Sequence, residues 1–173
     1  MPDLQIRIGG AIPEGLVPRA LRVEYESVVD GRHDGAVLID PSGRNDWVVF
    51  LHGHGGGPQI LWTRHDLRCT WMASFLGHGF GILAPDLRGN AWMCPAAVAD
   101  LHALLASVRA YRCVSRFIFA SASMGGTGNL IYAICHPEDV AGVAALCPAT
   151  DIATYYRWCR ARNTGVLAEI ADA

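Results

Sequence analysis

The sequence predicts an α/β fold: a doubly wound, mostly parallel sheet entered through an antiparallel hairpin. Three observations carry this reading. Short, continuously apolar runs alternate with helical stretches along most of the chain, as they do when strands are covered on both faces. The opening segment instead alternates apolar and polar residues, the mark of a strand with one solvated face. The 173 residues, 51% hydrophobic and 17% charged, suit a single domain spanning residues 1–173 that buries most of its apolar surface on folding.

The elements follow in order. Leu21 to Val29 alternates and reads as a strand. Asp30-Gly31 and Asp34-Gly35 signal turns, and Ala36 to Asp40 returns antiparallel. Trp47–Leu51, Gly81–Ala84, Arg116–Ala120 and Val140–Leu146 are the apolar strands of the parallel set. Between them, helices are expected over about Gln59–Leu76, Pro95–Arg109 and Met124–Cys135. Pro95 suits a first helical turn, and His136-Pro137 ends the third helix. The tail from Ile152 to Ala173 reads as helical, broken at Gly165, with Asp151 as its N-cap.

Composition removes several function classes. A net charge of -2 and a pI near 6.4 give no electrostatic footing for nucleic acid or an anionic membrane surface. All fourteen basic residues are arginine. The absence of lysine excludes a phosphate-loop lysine, Schiff-base chemistry and a Ser-Lys dyad. The six cysteines never form Cys-x-x-Cys, and most stand in apolar runs, so buried free thiols in an intracellular protein are expected. No signal-peptide pattern opens the chain, and no apolar run approaches the roughly 20 residues of a membrane span. A cytoplasmic location is the resulting expectation.

In an open α/β sheet, ligands bind beyond the carboxyl ends of the strands. Three segments should meet there: His52–Gly57, Asp86–Trp92 and Ser121–Gly126. In Phe119-Ala-Ser121-Ala-Ser123-Met124-Gly125-Gly126, small residues flank Ser123 between an apolar strand and an apolar helix. Such neighbours permit a sharp strand-to-helix turn that projects the hydroxyl of Ser123, while the helix start favours a developing oxyanion. An ordinary helix N-cap is the alternative reading. In Leu51-His52-Gly53-His54-Gly55-Gly56-Gly57, glycines let backbone N–H groups face a bound oxygen. No Gly-Lys-Ser/Thr follows, which disfavours a phosphate cradle, and no third ligand at metal spacing joins His52 and His54.

Together these two segments resemble the α/β-hydrolase family, in particular its esterase and prolyl-oligopeptidase-like branches, over roughly Val23 to Tyr156. The resemblance implies that Ser123 is the nucleophile and that the backbone N–H groups of His54 and Met124 form the oxyanion hole. Ala84-Pro-Asp86-Leu-Arg88-Gly89 is similar to the family's Asp-x-Arg-Gly loop and reads as structural. Position 121 is Ser where the common elbow has Gly.

The family order places an acid and then a histidine after the serine. Here only His136 follows Ser123, at the far end of the third helix, and Asp151 reads better as a cap than as an acid. The resemblance therefore implies an incomplete α/β-hydrolase core, truncated at its C terminus. The expected function is hydrolysis of carboxylic esters or small peptides through an acyl-enzyme on Ser123, with no cofactor and no metal. The alternative is a non-catalytic hydrolase-like remnant or binding module. A small-molecule ester or peptide is the expected partner, without nucleic acid or membrane; the sequence does not specify an oligomeric state. Trp92 is a candidate pocket residue, Trp71 a core residue, and Tyr155, Tyr156 and Trp158 candidate apolar surface.

Overall fold

The computed structural model describes residues 6–11, 20–162 and 165–172. Seven strands form one sheet: β1 Ile6–Ala11, β2 Ala20–Glu26, β3 His33–Ile39, β4 Asp46–Val49, β5 Gly81–Pro85, β6 Arg116–Ala122 and β7 Val140–Leu146. Their order is β1-β2-β3-β5-β4-β6-β7. The β1–β2, β2–β3 and β3–β5 pairs are antiparallel, while β5–β4, β4–β6 and β6–β7 are parallel. The expected antiparallel entry and parallel continuation are both present. β1 was not anticipated: its alternating Ile6 and Ile8 are followed by Gly9 and Gly10, which weaken a strand signal.

The continuous apolar runs have the expected cause. In β3, Ala36 and Leu38 join one core while Val37 and Ile39 join another on the opposite face. Around β4, Trp47 and Val49 face the first core and Phe50 the second. Helices α4 Pro95–Tyr111 and α5 Met124–Cys135 supply Leu101, Leu104, Leu105, Val108 and Tyr132 to the first core. The second is covered by Leu61, Trp62 and Met72.

That second cover departs from the continuous helix expected over 59–76. It comprises α1 Ile60–Thr63, α2 His65–Leu67, a π-helical turn Arg68–Met72 and α3 Ala73–Gly77. The break falls at Arg64, whose φ of -80° and ψ of 123° are extended. Trp71 is half-buried against this core, edge-on to Phe50 and Phe75. The tail forms α6 Ile152–Ala161 and α7 Val166–Asp172. Asp151 caps α6, its carboxylate accepting from the Thr154 amide at 2.8 Å.

The thiols correct the sequence reading: only Cys159 is buried, Cys94 is half-buried, and Cys69, Cys113, Cys135 and Cys147 are exposed. For Cys135 and Cys147, apolar neighbours in sequence did not mean burial, because the last turn of α5 and the end of β7 face solvent; Ile134 is 81% exposed and Leu146 55%. β7 is the terminal strand of the sheet. No helix among the described residues is long and apolar enough to cross a membrane.

Candidate active site

Parallel pairing brings the two motifs together at one sheet edge. β4 and β6 are neighbours with Val49 opposite Phe119, so Leu51 comes level with Ser121 two residues on. There the Leu51 amide donates to the buried Ser121 hydroxyl at 2.8 Å. That hydroxyl also lies 3.3 Å from the Asn129 side chain of α5. The residue standing where glycine is common thus joins two strands and a helix.

Ser123 has φ 55° and ψ -128°, a conformation costly for a non-glycine residue and characteristic of sites whose surroundings enforce it. Several contacts enforce it here. The Ser123 amide donates to the Leu146 carbonyl of β7 at 2.9 Å, and its carbonyl accepts from the Thr127 amide at 2.9 Å. A Cβ at Gly125 would collide with the Leu51 carbonyl and stand 2.8 Å from that of His52, so only glycine lets α5 begin this close to β4. Ser123 itself is exposed while Met124 behind it is buried. A Cβ placed on Gly53 would lie 3.8 Å from the Ser123 Cβ, so the glycine-rich loop borders the serine.

His52 is buried, with both ring nitrogens turned to backbone carbonyls. Its Nδ1 lies 2.8 Å from the Gly53 carbonyl and its Nε2 3.0 Å from the Asp86 carbonyl. The Asp86 carboxylate stands 3.4 Å from Nε2. Carbonyl oxygens only accept, so both nitrogens must carry hydrogen to satisfy both contacts, which favours the imidazolium. Burial alone would lower the His52 pKa. Hydrogen bonds to the Asp86 carboxylate and to the Gly53 and Asp86 carbonyls outweigh it and hold the pKa above the ordinary value.

His54 is exposed and pairs with a residue that sequence reasoning missed. Its Nε2 is 2.7 Å from Glu169 on α7. Asn90 donates to the other Glu169 oxygen at 3.1 Å and accepts from the Gly55 amide at 2.8 Å. Glu169 and Asn90 therefore tie the tail, the glycine loop and the loop after β5 together. No motif marks Glu169; its role depends on where a helix 115 residues away in sequence docks.

The loop after β5 is held from beneath. Leu87, Arg88, Trp92 and Met93 all have positive φ. Arg88 donates to the fully buried Asp100 at 2.7 Å, to Ser27, and to Asp30 at 2.8 Å. This supports the structural reading of the Asp-Leu-Arg-Gly segment. Trp92 packs on Tyr155 with ring centroids 5.6 Å apart, and its Nε1 has no hydrogen-bond partner among the described residues. It lines a small cavity of about 20 Å³ with Leu51, His52, Asp86 and Met124, roughly enough for one water.

The seven histidines hydrogen-bond or pair elsewhere than with Ser123: His33 with Glu26, His52 and His54 as above, His65 with Cys69, His78 with the Ser74 carbonyl, His102 with Asp139 and His136 with Glu138. Among the described residues, one group could together hold a metal ion: His102, His136, Glu138 and Asp139. It lies at the other end of α5 from Ser123.

The alpha/beta hydrolase family model matches residues 48–172. Among solved structures, Est1E from Butyrivibrio proteoclasticus is similar at 19% identity and a TM-score of 0.60, over 78% of this chain and 54% of that one. A cold-adapted esterase from an Arctic intertidal metagenomic library aligns at 18% identity and TM-score 0.55, over 76% of this chain and 62% of its own. Esterase Est22 aligns at 18% and 0.56, over 83% and 44%. This chain therefore spans between 44% and 62% of the length of these structures. No curated protein sequence matches. The match over residues 48–172, most of the chain, shows that the chain belongs to the alpha/beta hydrolase family.

Proposed function

We propose that the protein is a serine hydrolase of carboxylic esters or small peptides, acting through an acyl-enzyme on Ser123. The observation that carries this is the exposed Ser123 at φ 55°, ψ -128°, beside the glycine loop and at the start of α5. The Ser123 hydroxyl attacks the acyl carbon, its proton passes to a base, and the alcohol or amine leaves with that proton. Water then attacks the acyl-serine, releasing the acid and restoring the hydroxyl. The N–H groups of Met124 and His54 hold the oxyanion; the Gly55 and Gly56 amides are already engaged by Asn90 and the Gly53 carbonyl. No hydrogen bond or ion pair among the described residues joins a histidine to Ser123, so the proposed mechanism takes its base and acid from chain outside these 173 residues.

A fluorophosphonate probe should label the full-length gene product at Ser123, and turnover of p-nitrophenyl acetate should vanish in Ser123→Ala. Labelling that persists in that variant would overturn the assignment. The engagement of all seven histidines favours a second reading, a non-catalytic hydrolase-like binding module. It predicts turnover indistinguishable from Ser123→Ala.

A further inference from the structure

We infer that His102, His136, Glu138 and Asp139 form a binding site for a divalent transition cation of the zinc class, at the end of the sheet opposite Ser123. One ligand atom from each residue lies within 4.8 Å of the others. α5 separates the group from Ser123 by about 18 Å, at 1.5 Å per residue over its length.

Three elements converge to build it. His102 comes from the middle of α4, His136 follows the last residue of α5, and Glu138 and Asp139 lie in a 3₁₀ turn, Pro137–Asp139. The turn is fixed at its buried end. The Asp139 side chain is 3% exposed, accepting from Arg109 at 2.5 Å on one oxygen and from Tyr132 at 2.7 Å on the other. These bonds orient a carboxylate towards His102, whose Nδ1 lies 2.8 Å from it. His136 Nδ1 lies 3.0 Å from Glu138. In each pair an imidazole nitrogen and a carboxylate oxygen thus already stand within the separation that two ligands of one cation take, about 3.4 Å.

The donor set selects the cation. Two imidazole nitrogens beside two carboxylates favour zinc, copper or nickel over magnesium or calcium, which take all-oxygen shells. Metal bonds of 2.0–2.2 Å put tetrahedral ligand atoms about 3.4 Å apart, so the present spread needs to contract by roughly 1.4 Å at most. The groups that must move can move: Glu138 is 62% exposed and His136 25%. The imidazoles are stacked 4.1 Å apart and 15° from parallel. Stacked rings do not share a coordination point, so binding turns His136 out of the stack while Asp139 stays anchored.

The test uses the intact protein and Co²⁺ alone, followed by visible absorption and by histidine ring NMR, with Zn²⁺ as competitor. Expected are one equivalent of Co²⁺ displaced by Zn²⁺, and shifted ring signals of His102 and His136. Affinity should fall at least about tenfold in His136→Ala and in Glu138→Gln, both outer positions that leave the buried Asp139 contacts intact. Cys69→Ser should leave binding unchanged, since Cys69 and His65 form a separate, exposed sulfur–nitrogen pair outside the proposed site. Absence of saturable binding would overturn the proposal. So would binding unaffected by His136→Ala, or binding lost with Cys69→Ser. None of these readouts depends on ester hydrolysis, so the outcome is separate from that of the Ser123 assignment.

Discussion

Ser121 and Leu51, seventy residues apart in sequence, are joined by a buried 2.8 Å hydrogen bond from the Leu51 amide to the Ser121 hydroxyl. The bond links the strand ending in the glycine loop to the strand ending in the nucleophile. Ser121→Ala leaves the Leu51 N–H and the buried Asn129 without this partner, a cost of roughly 1–3 kcal/mol. Thermal unfolding should show Tm lower by several degrees, at about 2–4 °C per kcal/mol for a chain this long.

Gly125 should be far less tolerant than the glycines of the sheet edge. In Gly125→Ala the new methyl meets the Leu51 carbonyl, with the carbonyl carbon at 2.7 Å, and no side-chain rotation relieves backbone against backbone. A loss above about 4 kcal/mol is expected, read as a large fall in denaturant midpoint. Gly142→Ala on β7, where a Cβ meets nothing within 4 Å, should stay within about 1 kcal/mol of the parent.

Arg88→Ala should destabilise through what it abandons. Asp100 is fully buried, and Arg88 is its charged partner at 2.7 Å. Removing one member of a buried pair costs about 3–5 kcal/mol because the remaining charge is uncompensated. Arg88→Ala, Asp100→Asn and the double variant, compared by urea unfolding, should show strong non-additivity. Additive losses would mean that the pair contributes no coupling.

His52 gives the molecule a pH signature. Its folded pKa is raised, so its stabilising contribution is complete below the unfolded value of about 6.5. That contribution is lost as pH rises through the raised folded value. The tie between the glycine loop and Asp86 should loosen over that interval. Tm is expected to decline across it in the parent and to be flatter in His52→Gln. Equal slopes would show that the imidazolium does not hold the loop.

Much of this architecture is legible from residue order alone. The four parallel strands, the hairpin and α5 from Met124 to Cys135 follow from apolar runs bounded by turn residues, because burial on two faces leaves a local compositional trace. Ser123, Gly53 and His54 are locally marked for the same reason: the strained turn and the loop need small neighbours in sequence. Contacts set by packing between distant segments leave no such trace. Glu169 reaches His54 only because α7 docks there, and Ser121 reads as an ordinary small residue until Leu51 is placed opposite it. Exposed Cys147 has the converse cause: its apolar neighbours are local, whereas solvent access to the end of β7, the terminal strand, is a property of the whole sheet.

The elbow owes its shape to neighbours rather than to its own side chain. The Leu146 carbonyl, the Thr127 amide and the space left by Gly125 fix the backbone of residue 123 through its own amide and carbonyl. The position is therefore a socket into which different functional groups can be fitted. Cysteine, which adds no β-branch to the strained turn, would exchange oxygen for sulfur chemistry on an unaltered frame. Alanine would empty the socket without collapsing it, so that in either variant a change in reactivity reports on the atom and not on the turn.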